Sequence, residues 1–432
     1  MSDLKFIHAA DTHLGRQFSG LQRTSPDLAN LFRRAGYSSW EKLVRTAVER
    51  KVDFVSLAGD VFDGSHTTVK ARVAFMDGLQ RLHEEGIPVF MALGNHDPLR
   101  SFPDSLRSLP GLHIFGPDPE TRGLGQVETT QGVIISGASF ERSVVTENLA
   151  RKFSRDKGVD LAIGVLHANV SGYSAHKDYA PCSLDDLRQA GMDIWCLGHV
   201  HSARVLWEAP LILYAGTSQG AHAGETGPKG CYLVTVESGG KASEEFLPLA
   251  PVRWEKIELD ATDAAAPEDL LESVETACAG LVPGPEQIEA LVVRINLTGI
   301  LSRHVAEAIR PDGEIHEMLA ERMARLTVPV FPESFCDSTR PEFDPESIIE
   351  DEGFLPEFLR LCQTSMEDQT RIGDLVREIR LDLSKRVNRT YIDPDIDPLK
   401  LLEGKDALRD LINKAAEEVT SAFFELSAAD KG

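Results

Sequence analysis

Short apolar runs that end abruptly in Asp, His or Asn set the rhythm of the first half of the chain. Residues 87–97, IPVFMALGNHD, are apolar up to Leu93 and follow Gly86. That pattern predicts a buried strand rather than a helical turn. Gly94 lets the chain bend at the strand's carboxyl end, where open α/β sheets place their ligands, so Asn95, His96 and Asp97 are expected to project together into a crevice. Four other segments end the same way: 1–13 in Asp11 and His13, 52–60 in Asp60, 159–169 in His167, and 192–201 in His199 and His201. A single histidine beside a strand is usually a hydrogen-bonded structural residue. Five such exits in succession, reading DxH, GD, GNHD, H and GHxH, are not attributable to chance.

Between these runs the apolar spacing changes to that of helices. Residues 40–50 and 66–85 read as helices, the second with Val69, Val73, Phe75, Met76, Leu79 and Leu82 as apolar members that should mostly be core; any left exposed would suit a dimer contact. Residues 147–157 read as a polar helix and 183–190 as a further one, while GVIISGASF (132–140), LILYAG (211–216) and GCYLVTVE (230–237) read as strands. From 251 the order becomes strand, helix, strand, helix, strand. This predicts a small α+β module of about 90 residues, a size typical of domains, closed by TRPEFDP at 339–345. Beyond Glu346 the chain is helix-prone, and its last segment carries Leu408, Leu411, Ile412, Ala415, Val419, Ala422 and Phe423 on one stripe, as an amphipathic helix requires. The expected division is therefore 1–250, 251–340 and 345–432.

Composition limits what these parts do. With 42% apolar and 26% charged residues among 432, the chain has the balance of a soluble protein, and no apolar run approaches the roughly 18 residues of a membrane span. Met1 stands almost directly on a strand, leaving no room for a signal peptide. Six scattered cysteines without a CxxC pair point to a reducing cytoplasm and away from a zinc-thiolate site. Of the net charge of −23, residues 1–250 carry −4 and 251–432 carry −19; eleven of the thirteen histidines lie in the first part. Chemistry is thus expected in the N-terminal part. The acidic remainder would be repelled by a phosphate backbone and is expected to meet a protein partner instead.

The collected side chains suit two divalent cations about 3.5–4 Å apart, which need a bridging carboxylate, terminal ligands and an open face. Asp60 is the natural bridge; Asp11 and His13 can serve one cation from one short loop, Asn95 offers a neutral oxygen to the other, and His167, His199 and His201 add imidazole nitrogens. Such a centre is net positive, attracts a phosphodiester and lowers the pKa of water to about 7, supplying a hydroxide nucleophile. The mixed donors favour manganese or iron over calcium, with zinc or magnesium as alternatives. His96 is left over and is placed to protonate a leaving oxygen, with Asp97 orienting its ring. Candidate substrate contacts are Arg16, Asn169 and His222. Arg16 opens an insertion, 15–40, of local charge +3, which is either a phosphate-contacting rim or a solvated loop. His222 lies in a glycine-rich loop that either approaches a phosphate or simply joins two strands.

The motifs DTH, GDVFD, GNHD, LHANV and GHVH, in this order over the first 250 residues, resemble those of the calcineurin-like metallophosphoesterases. With DTHLGRQFSGL, GDVFDG, LHANVSG, GTSQGAHAGETGPKG and the appended module, the chain looks like the SbcD and YhaO group of DNA repair nucleases. The resemblance implies a four-layer α/β fold with two central sheets flanked by helices, a capping domain that orients DNA, and a C-terminal helical segment for an SbcC-like coiled-coil ATPase. It places Asp11, His13, Asp60 and His201 on one metal and Asp60, Asn95, His167 and His199 on the other, with His96 as the catalytic histidine. It also implies manganese, exonuclease action on double strands, endonuclease action on single strands, and homodimers. The chain departs from the group in its acidic tail and lack of a marked basic patch. Competing readings are a phosphatase, although Gly64 stands where that branch commonly has a phosphate-gripping arginine, a cyclic-nucleotide phosphodiesterase, and a non-catalytic scaffold regulating an ATPase.

Overall fold

A computed structural model of the chain describes residues 3–16, 26–64, 67–123, 132–155, 158–170, 179–281, 288–309, 314–341, 353–367, 412–416 and 419–420. Alternation along the strands sorts the side chains into layers, because successive residues point to opposite faces of a sheet. In β1 (Leu4–Ala9), Leu4 and Phe6 face one way and Ile7 and Ala9 the other. The same split recurs in β2 (Phe54–Ala58) and β3 (Val89–Ala92), which extend β1 in parallel. With β4 (Leu112–Ile114), β11 (Gly230–Val236) and β12 (Ala242–Pro248) they form a six-stranded sheet ordered β12-β11-β1-β2-β3-β4.

A second six-stranded sheet is ordered β5-β6-β7-β8-β10-β9, from β5 (Glu120–Gly123), β6 (Val133–Ala138), β7 (Leu161–His167), β8 (Ile194–Gly198), β9 (Arg204–Glu208) and β10 (Leu211–Tyr214). One core joins the inner faces of the two sheets: Phe6, Phe54 and Phe90 pack with Ile163, Val165, Ile194 and Leu213. The Phe6 and Phe54 rings stack at 4.5 Å, and each fully buried side chain of this size contributes about 1.5–3 kcal/mol. Helices α1 (Pro26–Arg50) and α2 (Val69–Glu84) cover the outer face of the first sheet through Trp40, Leu43, Phe75 and Leu79. The outer face of the second is covered by a 3-10 turn (Leu149–Lys152) and, after the short α3 (Asp104–Arg107), by α4 (Leu184–Gln189), whose Ser183 and Asp186 form a capping box. The result is the expected four layers of helices, sheet, sheet and helices.

Several elements differ from the sequence expectation. Helix α1 starts at Pro26, well before Trp40, because Phe32 and Ala35 find a core of their own with Val252, Trp254 and Val292. Residues 17–25 of the insertion lie outside the described residues. In α2, Val69, Val73 and Met76 are exposed rather than core, since only the face carrying Phe75, Leu79 and Leu82 meets the sheet. The polar helix expected over 147–157 is one turn only: Asn148 caps Arg151, and buried Phe153 draws the chain back to extended backbone.

The chain divides into two compact units, one comprising Met1–Leu259, Leu271–Asn296 and Glu317–Cys336, the other Asp260–Leu270, Leu297–His316 and Asp337–Gly432. A three-stranded sheet is ordered β13 (Val252–Asp260), β14 (Ala290–Thr298) and β16 (Val330–Asp337), with α5 (Pro267–Leu281) between the first two strands in sequence. In the second unit β15 (Ile300–Leu301) pairs in parallel with β17 (Arg340–Pro341), Ser302 caps α6 (Arg303–Ala308), and Leu355 and Leu359 of α8 (Phe354–Glu367) pack with Ala416. Helix α7 (Glu314–Ala324) separates α6 from β16. Most of 345–432, including Leu408, Leu411, Ala422 and Phe423 of the amphipathic stripe, lies outside the described residues. No helix among the described residues is long and apolar enough to cross a membrane.

Candidate metal centre

Strands β1, β2 and β3 run parallel, as do β6, β7 and β8, so their carboxyl ends collect along two facing sheet edges. The loops there are stitched together by backbone bonds: Asp11 N–H donates to Gly59 O at 3.0 Å and His13 N–H to Asp60 O at 3.0 Å. Non-glycine residues adopt positive φ at Asp11 (48°), His13 (42°), Asp60 (51°) and His199 (99°). Such conformations cost of the order of 1–3 kcal/mol each and persist where the surroundings impose them. Gly94 and Gly198 permit the closest approaches. A Cβ at Gly94 would collide with Asp60 Oδ1, and one at Gly198 with the Ala58 carbonyl.

All seven residues expected as ligands are brought together. Ligand atoms of Asp11, His13 and His201 lie within 4.8 Å of one another, as do those of Asp11, Asp60 and His167. His13 Nε2 faces His201 Nε2 at 3.3 Å, and His167 Nε2 is 3.0 Å from Asn95 Oδ1 and 3.5 Å from Asp60 Oδ2. His199 is buried with its ring against those of His167 and Tyr179, at centroid distances of 5.1 and 5.7 Å, and its N–H donates to Asp11 Oδ2 at 2.9 Å. Five of the seven are buried: Asp11 and His167 fully, with Asp60, His13 and His199 2%, 4% and 7% exposed.

Hydrogen bonds on the far side of each ring decide which nitrogen is bare. His167 Nδ1 lies 2.9 Å from Ala58 O and His201 Nδ1 2.5 Å from Glu225 Oε1, so in both neutral rings the proton sits on Nδ1. Nε2 of His167 then points its lone pair at two acceptor oxygens, and Nε2 of His201 points its own at His13. Acceptors converging without a hydrogen between them are unfavourable alone and fit a cation in their midst. Electrostatics agree: burial and the Asp60 charge push Asp11 well above the usual carboxylate range, and burial lowers His13 and His167, favouring bare imidazole. Burial also works to raise Asp60, but His167, His13 and His96 outweigh it and hold its carboxyl below the ordinary value. The residues present therefore fit divalent metals.

His96 stands at the rim, its side chain 42% exposed, with its N–H donating to Asp60 Oδ1 at 2.9 Å. Contrary to the expectation from adjacency, Asp97 does not orient the His96 ring. It is 4% exposed and turns inward, its carboxylate accepting the N–H groups of Gly94 (2.9 Å), Val61 (2.7 Å) and Asp60 (3.2 Å), which ties the GNHD loop to the GDVFD loop. The carboxylate beside His96 is Asp63, whose Oδ1 lies 3.3 Å from His96 Nδ1 and 3.4 Å from His13 Nδ1. Its bonds to these two histidines hold Asp63 far below the usual range and raise His96.

Of the three candidate substrate contacts, Arg16 (29% exposed) and His222 (50% exposed) stand beside Glu225, 3.8 and 3.5 Å from its Oε1. Asn169 is buried at 2%, its backbone tied to Tyr179 and Cys182. Asp63 and Glu225 were not singled out from the sequence. Asp63 sits three residues after Asp60 in GDVFDG, and a carboxylate behind a ligating histidine is a common arrangement, so both had a signal.

Residues 4–203 match the family described as calcineurin-like phosphoesterase, and residues 254–340 match metallophosphoesterase YhaO, middle domain. The uncharacterized metallophosphoesterase YhaO of Bacillus subtilis (strain 168) is 35% identical over 347 residues, 79% of this chain and 83% of that protein. The chain belongs to the calcineurin-like metallophosphoesterases. This metallophosphoesterase is also similar to two proteins called DNA double-strand break repair protein Mre11. The one from Sulfurisphaera tokodaii is 29% identical over 211 residues, 48% of this chain and 51% of its own. The one from Thermoplasma acidophilum is 24% identical over 268 residues, 59% and 68% respectively. Metallophosphoesterases use divalent metals, and the cluster built on Asp11, Asp60 and the histidines is the candidate place for them.

Proposed function

We propose that this metallophosphoesterase is a DNA nuclease that hydrolyses backbone phosphodiesters. The observation that carries the reading is the convergence of seven donor side chains from five strand exits beneath one exposed, carboxylate-paired histidine. Similarity to proteins named for double-strand break repair supports DNA as the substrate. Asp11, His13, Asp60 and His201 would hold one metal, and Asp60, Asn95, His167 and His199 the other. Bound there, two divalent ions activate water and neutralise phosphate charge.

The chain's own groups do the rest. Asp63 holds the His96 ring from Nδ1 and favours its protonated form, so His96 can deliver a proton to the leaving oxygen, a contribution of about 10²–10⁴ in rate. Asp97 keeps the two loops in register from behind. Arg16 and His222, both beside Glu225, would contact the flanking phosphates. Manganese suits the mixed imidazole, carboxylate and amide donors. In the full reading, residues 251–340 cap the nuclease domain of 1–250, the acidic 345–432 segment docks an SbcC-like ATPase, and the protein acts in the cytoplasm as a homodimer.

The test is digestion of end-labelled duplex DNA with manganese, beside a cyclic nucleotide and a phosphorylated peptide. Cleavage of DNA that disappears in Asp60→Ala supports the proposal. Turnover of the small substrates with DNA untouched would replace it with one of the other phosphoesterase activities.

A further inference from the structure

The glycine-rich loop between β10 and β11, residues 215–229, touches the metal centre at several points. Thr217 Oγ1 donates to Asp11 O at 2.7 Å, and Lys229 Nζ donates to His201 O at 3.2 Å. At its middle, Glu225 is 7% exposed. One of its oxygens receives His201 Nδ1–H at 2.5 Å, and the other receives Ala221 N–H at 2.6 Å. The loop is itself pinned to the first residues of β13: Trp254 Nε1 donates to Gly220 O at 3.0 Å, Gln219 Nε2 to Val252 O at 2.8 Å, and Gly227 N–H to Trp254 O at 2.9 Å.

We infer that Glu225 is a positioning residue: it fixes the tautomer and rotation of His201 so that Nε2 presents its lone pair toward Asp11 and His13, and the loop anchored on Trp254 holds it there. The inference rests on the reading of this cluster as a metal centre. A carboxylate accepting from the far nitrogen of a ligating imidazole raises the ring's basicity and locks its orientation, and removing such a partner typically costs 10–100-fold in metal affinity. Glu225 is in turn oriented by Ala221 N–H and the pinned loop, and in the proposed centre His201 serves only the ion shared with Asp11 and His13. The effect should therefore fall on the ion held by Asp11, His13 and His201, not equally on both.

The experiment titrates the metal-stripped full-length chain with Mn2+ and reads free ion by its electron paramagnetic resonance signal. Wild type is expected to take up two ions. Glu225→Ala should keep one tight ion and bind the other 10–100-fold more weakly, while Glu225→Gln, whose amide oxygen can still accept from Nδ1–H, should fall between. If the alanine variant fails to fold, the glutamine variant decides. Two ions bound with unchanged affinity in both variants would overturn the inference while leaving the metal centre intact. No uptake by wild type would instead remove the metal reading and this inference with it.

Discussion

Replacing Gly94 by alanine tests whether the centre depends on close approach of its loops. Gly94 is not held at positive φ, so the effect of a methyl group is steric. An ideal Cβ would lie 2.9 Å from both Asp60 Cγ and His167 Cε1, and closer still to Asp60 Oδ1. Ordinary carbon–carbon contact is about 3.5–4.0 Å, so each neighbour must retreat by roughly 0.6–1 Å. Overpacking of this kind costs about 1–3 kcal/mol of stability. A displacement near 1 Å at a reacting centre costs on the order of 10² in rate. Gly94→Ala should thus melt somewhat lower than wild type and lose about 10²-fold in phosphodiesterase turnover. Gly36 provides the contrast, since it lies within α1 with nothing within 4 Å of a Cβ. Alanine there should leave turnover alone and raise stability by about 0.4–1 kcal/mol. The assay is manganese-dependent hydrolysis of bis-p-nitrophenyl phosphate with thermal melts of both variants. Full activity in Gly94→Ala would refute the packing argument.

Other outcomes follow from the same geometry. His96→Ala should keep its metals and lose about 10²–10⁴ in turnover, and Asp63→Asn should lose less while shifting the pH profile to lower values, because His96 then protonates less readily; metal analysis with rate measurements across pH checks both. His8 is fully buried between the sheets with Nε2 bonded to Leu197 O, and burial pushes its pKa down to about 4. A base whose folded pKa is depressed stabilises the fold fully above its unfolded value near 6.5, and that stability is lost as pH falls from there to about 4, amounting to about 3 kcal/mol. His8→Leu should flatten that part of the melting-temperature curve. Chelation should lower the melting temperature of wild type, since Asp11 and Asp60 are buried together, and added Mn2+ should restore it.

The strand exits were legible because two local signals coincide there, an apolar run of strand length and a glycine that lets the next polar residue turn. Asp60, Asn95 and His199 needed nothing more, while Asp11 and His167 had the apolar run alone. Asp97 was misread because adjacency in sequence says nothing about direction: after Gly94 the chain turns, so neighbouring side chains diverge, one to the rim and one into backbone N–H groups. Asp63 and Glu225 reach their histidines across 33 and 24 positions of sequence, a pairing only the packed loops reveal. The periodicity of α2 gave its existence but not its width of burial, which depends on how much of the helix the sheet beneath it covers. The early start of α1 was likewise hidden, since Phe32 packs with residues from Ala221 to Val292, far along the chain.

The central claim is that these seven side chains hold two cations. Anomalous diffraction from crystals grown with Mn2+, recorded near the manganese edge, measures it directly. The account predicts two peaks about 3.5–4 Å apart, bridged by Asp60, one against Asp11, His13 and His201 and the other against Asn95, His167 and His199. Absence of any peak there in fully loaded crystals, or ions bound elsewhere on the chain, would contradict it.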